Sequence, residues 1–444
     1  MSAHAHSRIV AAAVASIVFA AGLVSQAAPE KQGDGGTPSP RVADRTAADK
    51  PIRFSQFPVA EEAPVDVDKA VARAVEQILK MPEGDGDQWP YEGVYREDRG
   101  LLPVGYRVGG TSIVCLGLLA AKGYAQDEAR KAAVSKGVGF VLKTLDEPRM
   151  QLDFVGNYDV RGWGHIYALE LFLSLADARA VTAAHAEAVA KKTKWLVDAL
   201  CKSEIPQAGG WNYSRRAGYE NPRNPASTFM TAPALQALFH AKASGYSVDE
   251  GVIDRALAAL ERARSGPGAY GYGAPRRSQS EVPEEKLTMM DKVGSSASRA
   301  ALVETTLMLA GRGDAERHRR AIDWFFAHWD DLAVRKSEIG THIPPYGIAP
   351  YYFLFGHVYC AQAIEMLPDG DDKESLRTKM RAFLARSIDY DGTWNDRQFE
   401  RSAGYGTAMA ILALRMPQLP KPAPRSMELL KRGGFDAKLP DAGK

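Results

Sequence analysis

From residue 66 onward, two kinds of helical segment alternate along the chain. In one kind, apolar residues recur every three or four positions and charges fill the gaps. In "VDEGVIDRALAALERAR", Val248, Ile253, Leu257 and Leu260 mark the apolar stripe. Segments of this kind are predicted near 66–80, 127–145, 180–202, 249–264, 314–330 and 371–387. The other kind is small or apolar nearly all round, as in "TSIVCLGLLAA" and "YGTAMAILALRM". These are predicted near 109–122, 163–176, 226–243, 295–310, 349–366 and 402–415. A helix that is apolar all round must be covered on every side, whereas an amphipathic one needs cover on a single face. Strict alternation of the two kinds therefore predicts an all-α fold, an (α/α)6 toroid of inner helices ringed by outer ones.

The joints are unequal. Inner-to-outer joints are short, as in "KGY", "GRGD" and "LPDGD", while outer-to-inner joints at 81–108, 203–225, 265–294 and 331–348 are long. In a ring all the long joints fall at one end, with the N-termini of the inner helices. Long loops on a rigid scaffold are where binding and catalysis concentrate. Gly-Trp turns recur on that side, "GGWNYS" at 209–214 and "DGTWND" at 391–396, with "RGWGH" at 161–165 close to them. Gly permits positive φ in such a turn, and Trp covers the apolar end of the barrel while placing its one N–H locally.

These turns, with the segment "PASTFMTAPALQALFHAKASGYSVDEGVIDRALAAL" and "SAGYGTAMAILAL" after "DGTWND", resemble the repeat of the squalene cyclase and protein prenyltransferase β-subunit superfamily. The likeness spans roughly 66–416. It implies the α/α toroid. The Asp-x-Asp-Asp proton donor of the hopene-cyclase type is read as missing. The Asp-Cys-Thr-Ala-Glu segment of the oxidosqualene enzymes and the Asp-x-Cys zinc motif of the prenyltransferases do not occur.

The N-terminus reads differently. Arg8 precedes the apolar run "IVAAAVASIVFAAGLV" and a Ser25-Gln26-Ala27 site, the pattern of a signal peptide over 1–27. Residues 28–64, rich in Pro, Gly and charge, read as a linker, 65–416 as the toroid and 417–444 as a flexible tail. An exported protein with no stable membrane anchor after cleavage is expected. The net charge of +2 gives no basic field for nucleic acid. Cys115, Cys201 and Cys360 follow no framework spacing and read as buried thiols.

Candidate chemistry is sought at the long-loop end. His165, in the first turn of an inner helix, and Tyr167 beside it are candidate catalytic groups, as is His357. His357 and Cys360 share a helix face, but two ligands do not make a zinc site, and neither a metal nor a cofactor is expected. Arg299 is the expected charge partner of a ligand carboxylate, or else an ion-pair partner of Asp391 or Asp396. Asn212, Tyr351, Tyr352, Asp391 and Trp394 complete the expected ligand-binding set. Asp396, Arg397, Glu400 and Arg401 read as a salt-bridged loop closing the ring, and the acidic residues Asp153 and Asp159 as counter-charges to the helix N-termini. The central cavity is expected to hold a small-molecule or saccharide ligand. Three functions follow in order: a ligand-binding exported toroid, a polysaccharide lyase or hydrolase using residues such as Glu170, and an active terpene cyclase.

Overall fold

The computed structural model describes residues 65–93, 102–154, 160–205, 207–213, 226–274, 282–426 and 428. The expectations for 1–64 and for Asp159 lie outside these residues. Among them the fold is helical, with four isolated β-bridges and no strand. The amphipathic outer helices are α1 (Val67–Ile78), α3 (Glu128–Thr144), α5 (Ala186–Ser203), α7 (Glu250–Arg262), α9 (Ala315–Ala327) and α12 (Asp371–Arg386). The inner helices are α2 (Val104–Ala120), α4 (Arg161–Asp177), α6 (Thr228–Ala243), α8 (Val293–Leu309), α11 (Tyr352–Glu365) and α13 (Ala403–Arg415). A short extra helix, α10 (Trp329–Ala333), follows α9.

Each inner helix packs on the next in the order α2, α4, α6, α8, α11, α13, and α13 packs back on α2. The (α/α)6 toroid is therefore closed. The closing seam depends on a missing side chain: a Cβ at Gly117 of α2 would stand 2.8 Å from the Cβ of Ala408 on α13. Side chains on the inner helices that face the outer layer, among them Leu169, Phe172, Cys360 and Ile411, are fully buried.

Outer helices begin where short polar side chains accept orphan N–H groups. Asp66, Asp127, Asp249 and Asp314 cap α1, α3, α7 and α9 in this way. Their far ends are closed by a repeated device that explains the Gly-Trp turns. The indole N–H of Trp89 donates to the Ile78 carbonyl, that of Trp211 to Leu200 and that of Trp394 to Leu384, at 2.8–3.0 Å. Each acceptor lies in or beside the last turn of the preceding outer helix, where carbonyls lack helical partners. The backbone N–H of the same Trp donates to a threonine in the following inner helix: Thr111, Thr231 and Thr407. Tyr270 repeats the backbone half of the device with Ser296. Gly210 precedes Trp211 at φ +76°, and a Cβ there would lie 2.6 Å from the Thr231 hydroxyl oxygen.

Arg401 ties the ends of the chain's ring together through Glu83 and Glu92. The segment after α13 is docked further than the predicted tail boundary. Arg425 pairs with Glu250 and Asp254 of α7, and its N–H donates to the Leu309 carbonyl. Among the described residues no helix is long and apolar enough to cross a membrane.

Candidate functional site

The axis of the ring is filled from the long-loop end by aromatic side chains. Tyr91 stands in the joint before α2, and its ring lies 4.4 Å from Tyr405, 5.4 Å from Tyr106 and 5.7 Å from Trp163, centroid to centroid. Trp163 continues to Tyr167 at 5.2 Å. The Tyr167 and Tyr359 hydroxyls are 3.1 Å apart. Because α4 and α11 stand opposite each other in the ring, this hydrogen bond crosses the axis. Tyr359 packs on Phe355, which packs on Phe229, and Phe229 meets Tyr351, Tyr352 and Tyr272.

Burial separates this face from the other. Tyr91, Tyr106, Trp163, Tyr167, Phe355, Tyr359 and Tyr405 each retain between 3% and 8% exposure, where outward-facing neighbours such as Leu169, Phe172 and Ile411 retain 0%. The axial rings thus keep a few per cent of exposure that the outward-facing side chains of the same helices lack.

Asp396 looks into this cluster. Its loop is wound tightly: the Asp389 carboxylate accepts from the Asn395 N–H, Asn395 accepts from the Arg397 N–H and donates to the Phe399 carbonyl, and the Asp396 carbonyl accepts from the Ser337 N–H. The Asp396 side chain is fully buried and neither carboxylate oxygen has a hydrogen-bond partner. Burial pushes its pKa up to about 7. The Arg397 and Lys336 charges pull the other way, as do the backbone N–H groups of Leu354 and of Asp396 itself. Beside it the Tyr91 hydroxyl is buried and also unpartnered. Burial and the Asp396 charge together hold the Tyr91 and Tyr405 phenols well above their ordinary range. A buried carboxyl group poised near neutrality is able to donate or accept a proton where an exposed one would stay ionised.

The predicted site residues divide. Tyr167 meets Tyr359 across the ring. Tyr351 and Tyr352 gather at the long-loop mouth, the first donating to the Tyr272 hydroxyl and the second near His342. Asn212 accepts the Tyr213 N–H and is half-buried.

His165 and His357 do not line the axis, and the structure corrects that expectation. The ring of His165 stands edge-on to Trp195 of the outer helix α5, with Nε2 donating to the Met150 carbonyl. His357 accepts the Trp329 indole N–H at Nε2 and so donates from Nδ1 to the Phe353 carbonyl. Burial lowers both pKa values to about 4, so both are neutral packing residues. Both nitrogens of His357 are thereby occupied.

Arg299 is corrected as well. It makes no ion pair with Asp391 or Asp396. Its nitrogens donate to the carbonyls of Tyr270, Ser295 and Met290, and its plane lies over Phe229 and Tyr352. It staples the 265–292 joint to α8. Trp394 faces the outer helix α12 rather than a ligand. Asp391 closes its own turn on Thr393, and Asp153 is exposed.

Two further points depart from the sequence reading. An Asp-x-Asp-Asp tetrad does occur, at 369–372, but it lies at the exposed start of α12. There Asp369 pairs with Lys373 and Asp372 with Arg319. Nor are the later turns of the inner helices purely apolar. Glu170 and Asp177 hold His240 between them, raising its pKa to about 9 against the lowering effect of burial, and Gln236 bonds Gln362 and Thr306. Glu170, Gln236, His240 and Gln362 continue the axial stripe below the Tyr167–Tyr359 pair.

No family model matches the chain, and no curated protein sequence matches it. Several solved structures are similar. The GH76A α-1,6-mannanase from Salegentibacter sp. HEL1_6 is 11% identical, over 79% of this chain and 100% of that one, with a TM-score of 0.47. The type II terpene cyclase MstE from Scytonema is 13% identical over 80% and 98%, with a TM-score of 0.46. A glycosyl hydrolase family 88 protein from Bacteroides vulgatus is 9% identical over 80% and 98%, with a TM-score of 0.44.

Proposed function

We propose that the chain is an exported protein that binds a small, largely apolar ligand among the axial aromatics, with Asp396 as the group that exchanges a proton with it. The carrying observation is the Asp396 carboxyl: fully buried, unbonded at both oxygens, and set among phenols. Burial without a partner costs about 1–3 kcal/mol or more for a polar group, and a purely structural residue has no use for that cost. Cleavage after Ala27 remains part of this proposal.

The residue types favour an apolar ligand over a saccharide. Hydrolysis of a glycoside calls for two carboxyl groups flanking one bond. Among the described residues of the aromatic chamber Asp396 is the one carboxylate, and Glu170 lies beyond the Tyr167–Tyr359 pair, engaged with His240. The alkene-protonating chemistry of a cyclase, ranked last on sequence motifs, needs a buried acid among aromatic rings, and the burial of Asp396 beside Tyr91 and Tyr405 supports that role.

The test is a titration of the purified protein with N-phenyl-1-naphthylamine, an apolar fluorophore, alongside neutral oligosaccharides. The expected result is saturable fluorescence excited through tryptophan and reduced in Trp163→Phe, with no displacement by oligosaccharide. Displacement of the fluorophore by oligosaccharide, or the absence of saturable binding, overturns the reading.

A further inference from the structure

Among the described residues, the other buried arginines place their terminal guanidinium nitrogens on acceptors. Arg130 places Nε on Asp127 and its two terminal nitrogens on the Ala121 and Lys122 carbonyls. Arg161 reaches the Gln151 and Phe154 carbonyls. Arg299 uses all three of its nitrogens. Arg397 is the exception. It is 7% exposed, its Nη2 reaches the Gly93 carbonyl at 3.3 Å, and Nε and Nη1 have no acceptor. Among the described residues no carboxylate lies within ion-pair distance of it. A guanidinium does not lose its charge to escape burial, as a carboxyl does. The cost of leaving its N–H groups bare is therefore standing in the unliganded fold.

These bare donors stand at the aromatic chamber. Arg397 and Asp396 both act electrostatically on the unpartnered Tyr91 hydroxyl, whose ring packs on Tyr405 and Trp163. Asp396 does not neutralise Arg397 by a direct pair, and its own burial favours the uncharged form, which leaves room for a different anion. We infer that the ligand of the axial chamber is amphipathic, with an anionic oxygen group, carboxylate or phosphate, bound by Arg397 and its apolar body among the axial rings. This rests on the chamber's being the binding site. It transfers to Arg397 the charge-pairing role that the sequence pattern assigned to Arg299.

The experiment uses the full mature chain loaded with N-phenyl-1-naphthylamine and measures displacement by three chains of equal length: dodecanoate, dodecyl phosphate and dodecanol, each below its aggregation threshold. At least one of the two anions is expected to displace the fluorophore at about tenfold lower concentration than dodecanol. Whichever anion is stronger identifies the head group. In Arg397→Met, and in Arg397→Gln as a second variant checked for native helicity, the anion and the alcohol are expected to become equivalent. Equal displacement by all three compounds in the wild type overturns the inference while leaving the chamber in place. So does an anion preference that survives in both variants. If the fluorophore fails to bind at all, the chamber itself is refuted and this inference with it.

Discussion

Replacing Asp396 by Asn keeps the shape of the side chain and removes its ability to ionise. The expected effect follows from the two states of the wild-type carboxyl. In the unfolded chain it titrates near its ordinary 3.8, and in the folded chain near 7. Between those values the folded protein holds a proton that the unfolded chain has released. The stability this group contributes is therefore full below pH 3.8 and is lost as pH rises through about 7. At 1.36 kcal/mol per pH unit the whole interval corresponds to about 4 kcal/mol, and the part above pH 5 to about 2.7 kcal/mol. The groups that set the value are Arg397 and Lys336, which lower it, and the burial that raises it, with the Tyr91 and Tyr405 phenols alongside. Asp396→Asn is expected to be more stable than the wild type at pH 8, with the advantage shrinking towards pH 5. Urea unfolding of both proteins at half-unit steps between these limits measures it. A variant less stable than the wild type at pH 8, or an advantage that does not change with pH, would refute the buried, uncompensated carboxyl.

Trp394→Phe removes one of the donors to the Leu384 carbonyl, which keeps the Ser387 N–H and hydroxyl, and is expected to cost about 0.5–1.5 kcal/mol by urea unfolding, with Trp163→Phe as the contrasting axial substitution that leaves this anchor intact. Gly210→Val forces a branched side chain to φ +76° and into Thr231, and a loss of about 1–3 kcal/mol or more is expected in the same assay. An unchanged midpoint would mean that the turn relaxes freely. Arg299→Met leaves the carbonyls of Tyr270, Ser295 and Met290 without their donor, so faster proteolytic cleavage within 265–292 is expected, with a stability loss of about 3 kcal/mol.

The helices were legible because their signal is averaged over many positions. The amphipathic stripe of α7 and the all-round apolarity of α2 each dictate how much cover a helix needs, and the alternation dictates the ring. The site was not legible for the same reason. A helix that is apolar on every side carries no mark of which side meets the axis. His165 and Tyr167 are two residues apart, yet one turns to Trp195 and the other to Tyr359. Asp396 was hidden in the charged run "WNDRQFER", where a solvated salt bridge is the ordinary expectation. That reading holds for Arg401 and fails for Asp396. The sign of the difference lies in the loop's own hydrogen bonds through Asn395, which turn one acid inward, and no residue spacing encodes that.

The tryptophan anchors have a consequence for how this ring changes over time. From the anchoring backbone N–H to its threonine or serine, the chain runs 22 residues at Trp89, 20 at Trp211, 26 at Tyr270 and 13 at Trp394. The bond formed is the same at each. The joint is thus clamped where it leaves one layer and enters the other, and the stretch between is free in length. Residues inserted or lost there alter only the rim of the chamber, because the clamp beneath them holds the helices in register. Such a chain can exchange the walls of its opening piece by piece while the barrel under them stays the same, and Asp396 and Arg397, lying between Trp394 and Thr407, belong to the exchangeable part.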